Sequence, residues 1–292
     1  MMKAKSELEF ELGPPAPFNI GKEIGITFND SSQIKFYPTE KSKDANKGAI
    51  IFDCPDLNSA EKIGRDKVNR LFNCMLITKE NFEQLTAPRF FPLTSPKGQT
   101  FTFPIKPRLT VPVDENELES AKKLMETIDT LSDPRKGIIL RSLSWFRRGA
   151  EANSEDEDRF IYRWISFDLL LALLENKGKT TPSLIPEFIN NYMKTETIKL
   201  ILNTHGSTIT KLSKANLIGW NGAERSNGLY KLLRMQSSDK KDILTKTMLC
   251  IYEVRNTLFH KGEALKTIIN PSSALLRDVF IKSLETFVES IK

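Results

Sequence analysis

Three side chains with complementary chemistry, Arg255, Asn256 and His260, fall close together near the C-terminal end of the chain. A guanidinium carries a permanent charge on a planar fork of donors that fits oxyanions, and an imidazole exchanges its proton near neutrality. A side-chain amide can orient the imidazole or a phosphate oxygen. This combination can hold a phosphate and move a proton beside it.

The element that must position them is one helix from Lys240 to Gly262. At about 100° per residue, Leu244, Met248, Ile251, Tyr252, Leu258 and Phe259 share one face, and Lys246, Glu253, Thr257 and Lys261 lie on the back. Arg255 projects from near the middle of the apolar face. Burying a guanidinium without partners costs several kcal/mol, so an arginine there pairs with an acid or binds an anion. Asn256 and His260 stand roughly 40° apart, one turn from each other, on the flank next to Arg255. Gly262 is the expected C-cap, which puts His260 in the last turn, where carbonyl dipoles favour imidazolium. A cationic pair near a helix end suits phosphate.

A chain of 292 residues with 39% apolar content is long for one domain, so two are expected. Up to Asp114 there are 16 basic and 14 acidic residues, leaving 27 of the 43 basic and 23 of the 37 acidic for the rest. Neither part is a basic arm, so the net charge of +6 permits a polyanionic partner without requiring one. Cys54, Cys74 and Cys250 are odd in number and far apart, which reads as a reduced, cytoplasmic protein without a disulfide framework or a zinc site. The N-terminal MMKAKSELEF has no apolar signal core, and no window approaches a membrane span. No metal or cofactor is expected: there are two histidines, and no glycine-rich phosphate loop of the G-x-x-x-x-G-K-[ST] or G-x-G-x-x-G type.

Residues 1–113 carry most of the prolines and short β-type runs at Ile24–Phe28, Ile34–Phe36, Ala49–Phe52, Thr100–Phe103 and Leu109–Val113. One amphipathic helix interrupts them, with Ala60, Ile63, Lys67, Leu71 and Met75 on a ridge beside Val68 and Phe72. This is a small α+β domain without a catalytic constellation. Pro104, Pro107 and Pro112 form a semi-rigid exit from it. From 114 to 292 the period is helical, with helices expected at 115–131, 135–150, 155–176, 183–203, 208–218, 225–236, 239–262 and 272–291. Ser154 and Glu157 resemble a capping box, and Asn270-Pro271-Ser272 reads as a helix start. The helix from 155 is apolar over much of its circumference and is expected at the centre of an all-helical bundle, with Asp168 an acid in a mostly apolar setting. The fold class is therefore α+β: a small α+β domain followed by a helical bundle.

Arg255-Asn256-Thr257-Leu258-Phe259-His260, trailed by Lys261-Gly262, resembles the R-N-x-x-x-H signature of the HEPN superfamily. Trp145-Phe146-Arg147-Arg148-Gly149, then Asp156, Asp158-Arg159-Phe160 and Trp164, resemble its ApeA-like branch, which often has glutamate where this chain has Asp168. The resemblance covers about residues 115–292. It implies a HEPN-like helical domain acting as a metal-independent endoribonuclease, or a non-cutting relative that binds RNA, a nucleotide or a partner protein. It further implies a homodimer through the motif helix and a role in prokaryotic phage defence or as a toxin with a regulatory or antitoxin partner.

The residues fit that chemistry. Attack of a ribose 2′-hydroxyl on its own phosphate needs a cation for the phosphorane, here Arg255, and a proton-transfer group, here His260. Asn256 would orient the imidazole or a phosphate oxygen, Asp168 would be the supporting acid, and Arg147, Arg148 and Lys261 could track an RNA backbone. Plainer roles stand beside these. Arg255 could pair with Asp168 or another acid inside the bundle. His205 reads as a loop residue. Trp145, Trp164 and Phe160 read as core rather than stacking platforms.

Overall fold

Period-two alternation in AKSELEFEL makes Ala4–Leu12 a strand, β1. Glutamate is a poor strand former, which is why propensity passes this segment over, yet the glutamates recur at every second residue. Phe10 is buried, while Glu7 and Glu9 are exposed. The computed structural model describes residues 4–12, 18–38, 46–54, 57–78, 90–92, 111–112, 115–151, 156–174, 178–219, 222–235, 238–261 and 266–292. The chain divides into two compact units, Met1–Thr130 and Leu131–Lys292.

In the first unit, β1 is followed by β2 (Phe18–Asn19), β3 (Ile24–Thr27), β4 (Gln33–Phe36), β5 (Asn46–Cys54), α1 (Leu57–Thr78), β6 (Phe90–Pro92), β7 (Val111–Pro112) and α2 (Glu115–Asp129). An antiparallel sheet runs β3-β4-β5-β1-β6, and β2 pairs with β7 in parallel. Ile34 lies opposite Ile50 with both fully buried, and Phe10 meets Phe36 edge to face at 5.6 Å. Of the expected strands, Thr100–Phe103 lies outside the described residues, as do Pro104 and Pro107.

Helix α2 belongs to this first unit, packing on α1 and β3. Leu118, Ala121, Leu124, Met125 and Ile128 form its buried stripe, each large side chain contributing roughly 1.5–3 kcal/mol of transfer free energy. Arg70 pairs with Asp129, and the Asn29 backbone N–H donates to Glu126 Oε1 at 2.8 Å. The unit boundary therefore follows Thr130, not Val113. The proline-rich stretch misled because the helical period begins before the unit does.

The second unit holds α3 (Asp133–Glu151), α4 (Asp156–Leu171), α5 (Thr181–Tyr192), α6 (Thr195–Thr204), α7 (Gly206–Ser213), α8 (Arg225–Arg234), α9 (Lys240–Lys261) and α10 (Lys266–Ser290). The helix expected over 183–203 is two: Met193 and Lys194 are extended, and a new helix starts at Thr195. Pro271 lies inside α10 rather than at its start; the lost N–H bond falls within the second turn. Ser154 of the expected capping box lies outside the described residues.

Helices α3 and α4 pack closely. Ser142 and Ser166 hydroxyls each donate to the other residue's carbonyl, at 2.7 and 2.8 Å. A Cβ on Gly149 would stand 3.2 Å from Arg163 Cγ, so this glycine permits the approach. Phe146 stacks on Phe280 at 4.7 Å, tying α3 to α10, and Trp164, Phe167, Phe188 and Phe287 extend the aromatic core. Phe160 and Trp164 are core residues, as the plainer reading has it. Helix α9 is enclosed as well: α5, α6, α7, α8 and α10 all pack on it, and Met248, Leu249, Cys250 and Ile251 are buried in succession. No helix among the described residues is long and apolar enough to cross a membrane.

A fragment of residues 131–292 should melt cooperatively with a helical circular dichroism spectrum. Starting instead at 114 adds the apolar stripe of α2 without α1 and β3, so that fragment should bind more of a hydrophobic dye. A cooperative melt for 114–292 alone, with 131–292 unfolded, would refute this boundary.

Candidate functional site

Enclosure of α9 on several sides decides which of its residues reach a ligand. Leu244, Met248 and Ile251 are fully buried inside their own unit, so they are not available to a homodimer contact through the motif helix. Tyr252 and Leu258 are half-buried and Phe259 is 49% exposed. Glu253, expected on the solvated back of the helix, is only 4% exposed, because α8 covers that side.

Arg225 of α8 and Glu253, Asn256 and Arg255 of α9 form one chain of contacts. Arg225, the first residue of α8, donates from Nε to Glu253 Oε1 at 3.3 Å. Asn256 Nδ2 donates to Glu253 Oε2 at 3.0 Å, and Arg255 Nη1 donates to Asn256 Oδ1 at 3.0 Å. The Arg255 guanidinium carbon stands 4.5 Å from the centre of the Phe259 ring, one turn further along, a cation–π contact with an exposed ring.

Among the described residues, the contact to Asn256 is the one hydrogen bond of the Arg255 side chain, and no carboxylate lies within 4.0 Å of it. Its Nε is buried and makes no hydrogen bond. One of its five donors is thus committed among the described residues, and the Nη donors beside the exposed ring have the chemistry to take an acceptor from outside. This differs from both sequence expectations for the pair. Arg255 is not locked to Asp168, and the Asn256 amide oxygen orients Arg255.

Asp168, on α4, is half-buried and accepts from Thr181 Oγ1 at 3.3 Å, at the first turn of α5. Burial pushes its carboxyl above the ordinary range; the Thr181 hydrogen bond and the Arg255 charge oppose this without cancelling it. Arg255 thus feels Asp168 electrostatically without pairing with it. His260 and Lys261 belong to the last turn of α9, but their side chains lie outside the described residues, and so does Gly262.

Arg147 and Arg148 belong elsewhere. Arg148 stacks on Trp145 at 4.4 Å, and Trp145 meets Tyr162 at 5.5 Å, on the α3 side of α4. By helical geometry Tyr162 points roughly 120° away from Asp168. The Arg148–Trp145–Tyr162 stack therefore lies on a different side of α4 from Asp168. Glu253 and Arg225 are the residues that sequence reasoning missed. The i, i+3 spacing of Glu253 and Asn256 was a usable signal. Nothing local points to Arg225, 28 residues away.

Cys54, Cys74 and Cys250 are free and buried, and burial pushes the Cys74 and Cys250 thiols up to about 12. No group of three or more His, Cys, Asp or Glu side chains suited to a metal ion occurs among the described residues. No protein-family model, no curated protein and no solved structure matches the chain.

The second histidine is structural. His205, between α6 and α7, is buried, and its Nε2–H donates to Asp278 Oδ2 at 2.8 Å; Arg277 donates to the other oxygen. Burial pushes the Asp278 carboxyl up, but the His205 hydrogen bond and the Arg277 charge outweigh it and hold the group below its ordinary value of 3.8. A depressed folded-state value adds stability above the unfolded value, lost as pH falls through the folded one. Asp278→Ala should cost about 1–3 kcal/mol near neutrality. Its melting-temperature deficit should shrink as pH falls below about 4; a deficit unchanged down to pH 2.5 would exclude this linkage.

Proposed function

We propose that the helical unit is a HEPN-like endoribonuclease that cleaves RNA without a metal ion. The observation that carries this reading is the state of Arg255: a half-buried guanidinium, held by Asn256 and Phe259, with most of its donors uncommitted among the described residues. A phosphate is an oxyanion that such a fork fits.

In this reading a ribose 2′-oxygen attacks the adjacent phosphorus and the bond to the 5′-oxygen breaks. The products are a 2′,3′-cyclic phosphate and a 5′-hydroxyl. Arg255 stabilises the charge that develops on the non-bridging oxygens. His260, five residues on and about 7.5 Å further along the helix axis, removes the 2′-hydroxyl proton or protonates the departing oxygen. Asn256 holds Arg255 in place, and Asp168 biases the site electrostatically. Two copies would join through Leu258 and Phe259 near the end of α9, the apolar residues of the motif that the fold leaves accessible. A place in prokaryotic defence, or as a toxin held by a regulatory partner in the cytoplasm, belongs to the same proposal through the family resemblance.

A second reading requires only the described residues: Arg255 and Asn256 bind an RNA or nucleotide phosphate, and nothing is cut. The protein incubated with RNA in EDTA distinguishes them. The nuclease should degrade RNA under those conditions, and Arg255→Ala and His260→Ala should each lower the rate on the order of 10²–10⁴-fold. The Arg255→Ala melting temperature should stay near that of the wild type. A fall equivalent to roughly 3–5 kcal/mol would mark Arg255 as half of a structural ion pair. RNA binding lost with Arg255→Ala, in a protein that never cleaves, would support the second reading.

A further inference from the structure

A carboxylate only accepts hydrogen bonds and a guanidinium only donates them, so the amide between Glu253 and Arg255 has one satisfactory orientation. Asn256 Nδ2 must face Glu253, which turns Oδ1 toward Arg255, and the structure has this arrangement at 3.0 Å on each side. Glu253 is in turn buried to 4% exposure and held through its other oxygen by Arg225 of α8. Donors and acceptors alternate along Arg225, Glu253, Asn256 and Arg255 without a mismatch.

We infer that Glu253 is the positioning residue for the Arg255–Asn256 pair, with Arg225 fixing Glu253 from the neighbouring helix. The inference rests on the reading in which Arg255 contacts a phosphate. Glu253 touches no ligand. It selects the amide orientation that aims the guanidinium, and packing between α8 and α9 thereby sets the direction of the Arg255 fork. A buried carboxylate kept only to pair with Arg225 would leave the chemistry of position 256 unrestricted.

The test swaps donor and acceptor. In Glu253→Gln, the oxygen of the new amide stays with Arg225 and its NH2 faces Asn256, which must flip and withdraw Oδ1 from Arg255. In Glu253→Gln with Asn256→Asp, the carboxylate at 256 accepts from both neighbours and the alternation returns. Asn256→Asp alone sets two carboxylates against each other. The readouts, on the full-length protein, are single-turnover RNA cleavage and the Nε–Hε NMR resonance of Arg255, identified by its loss in Arg255→Lys.

Glu253→Gln should slow cleavage on the order of 10–100-fold, as misplacement of a charge-stabilising group does, and should move the resonance. Asn256→Asp should be more damaging in the wild-type background than in the Glu253→Gln background. A wild-type rate and an unmoved resonance in Glu253→Gln, or equal effects of Asn256→Asp in both backgrounds, would overturn the inference. If the wild type cleaves no RNA, the nuclease reading fails by itself, and the resonance and the coupling in melting temperature decide the role of Glu253. Should Glu253→Gln not fold, Arg225→Met replaces it: the Arg255 resonance should shift, and an unmoved one would overturn the proposal.

Discussion

An arginine on a helix that is packed from several sides must be oriented by its own chain, because water cannot hold it there. In this protein the orientation comes from complementarity along one line: guanidinium, amide, carboxylate, guanidinium. Leaving any buried member unpaired would carry a desolvation cost, so the network specifies one arrangement of α8 against α9. The same line leaves the outer part of Arg255 available beside an exposed aromatic ring. Fold and site are therefore one problem, since the packing that buries Glu253 also aims Arg255.

Asp168 completes the electrostatics without closing the site. Had it moved into contact with Arg255, the pair would have neutralised both groups and left little attraction for a phosphate. Its bond to Thr181 instead keeps it on the α5 side, where burial favours the protonated form. The His205–Asp278 pair shows the contrast: there the histidine and the carboxylate are buried against each other. That pair locks α10 to the α6–α7 junction.

Much of this architecture was legible from residue spacing. The helical period from 115 onward gave most helices, and the strands at Ile24, Ile34 and Ala49 were marked by short β-branched runs. The boundary was not legible, because the partner of α2 is decided by where its Leu118–Ile128 stripe finds complementary apolar surface, a tertiary fact. For the site, spacing brought Arg255 and Asn256 together but put Glu253 in solvent. A helical wheel knows which residues share a face, not which faces a neighbouring helix will cover.

If Arg255 is held for an external oxyanion, bound RNA should place a phosphate against it. A structure of the protein with a fully 2′-O-methylated RNA, which cannot undergo 2′-hydroxyl attack, tests it most directly. A phosphate oxygen should lie within about 2.7–3.1 Å of an Arg255 nitrogen, with the Asn256 and Glu253 contacts retained. Arg255 turned onto Asp168, with the RNA bound elsewhere or not at all, would contradict it.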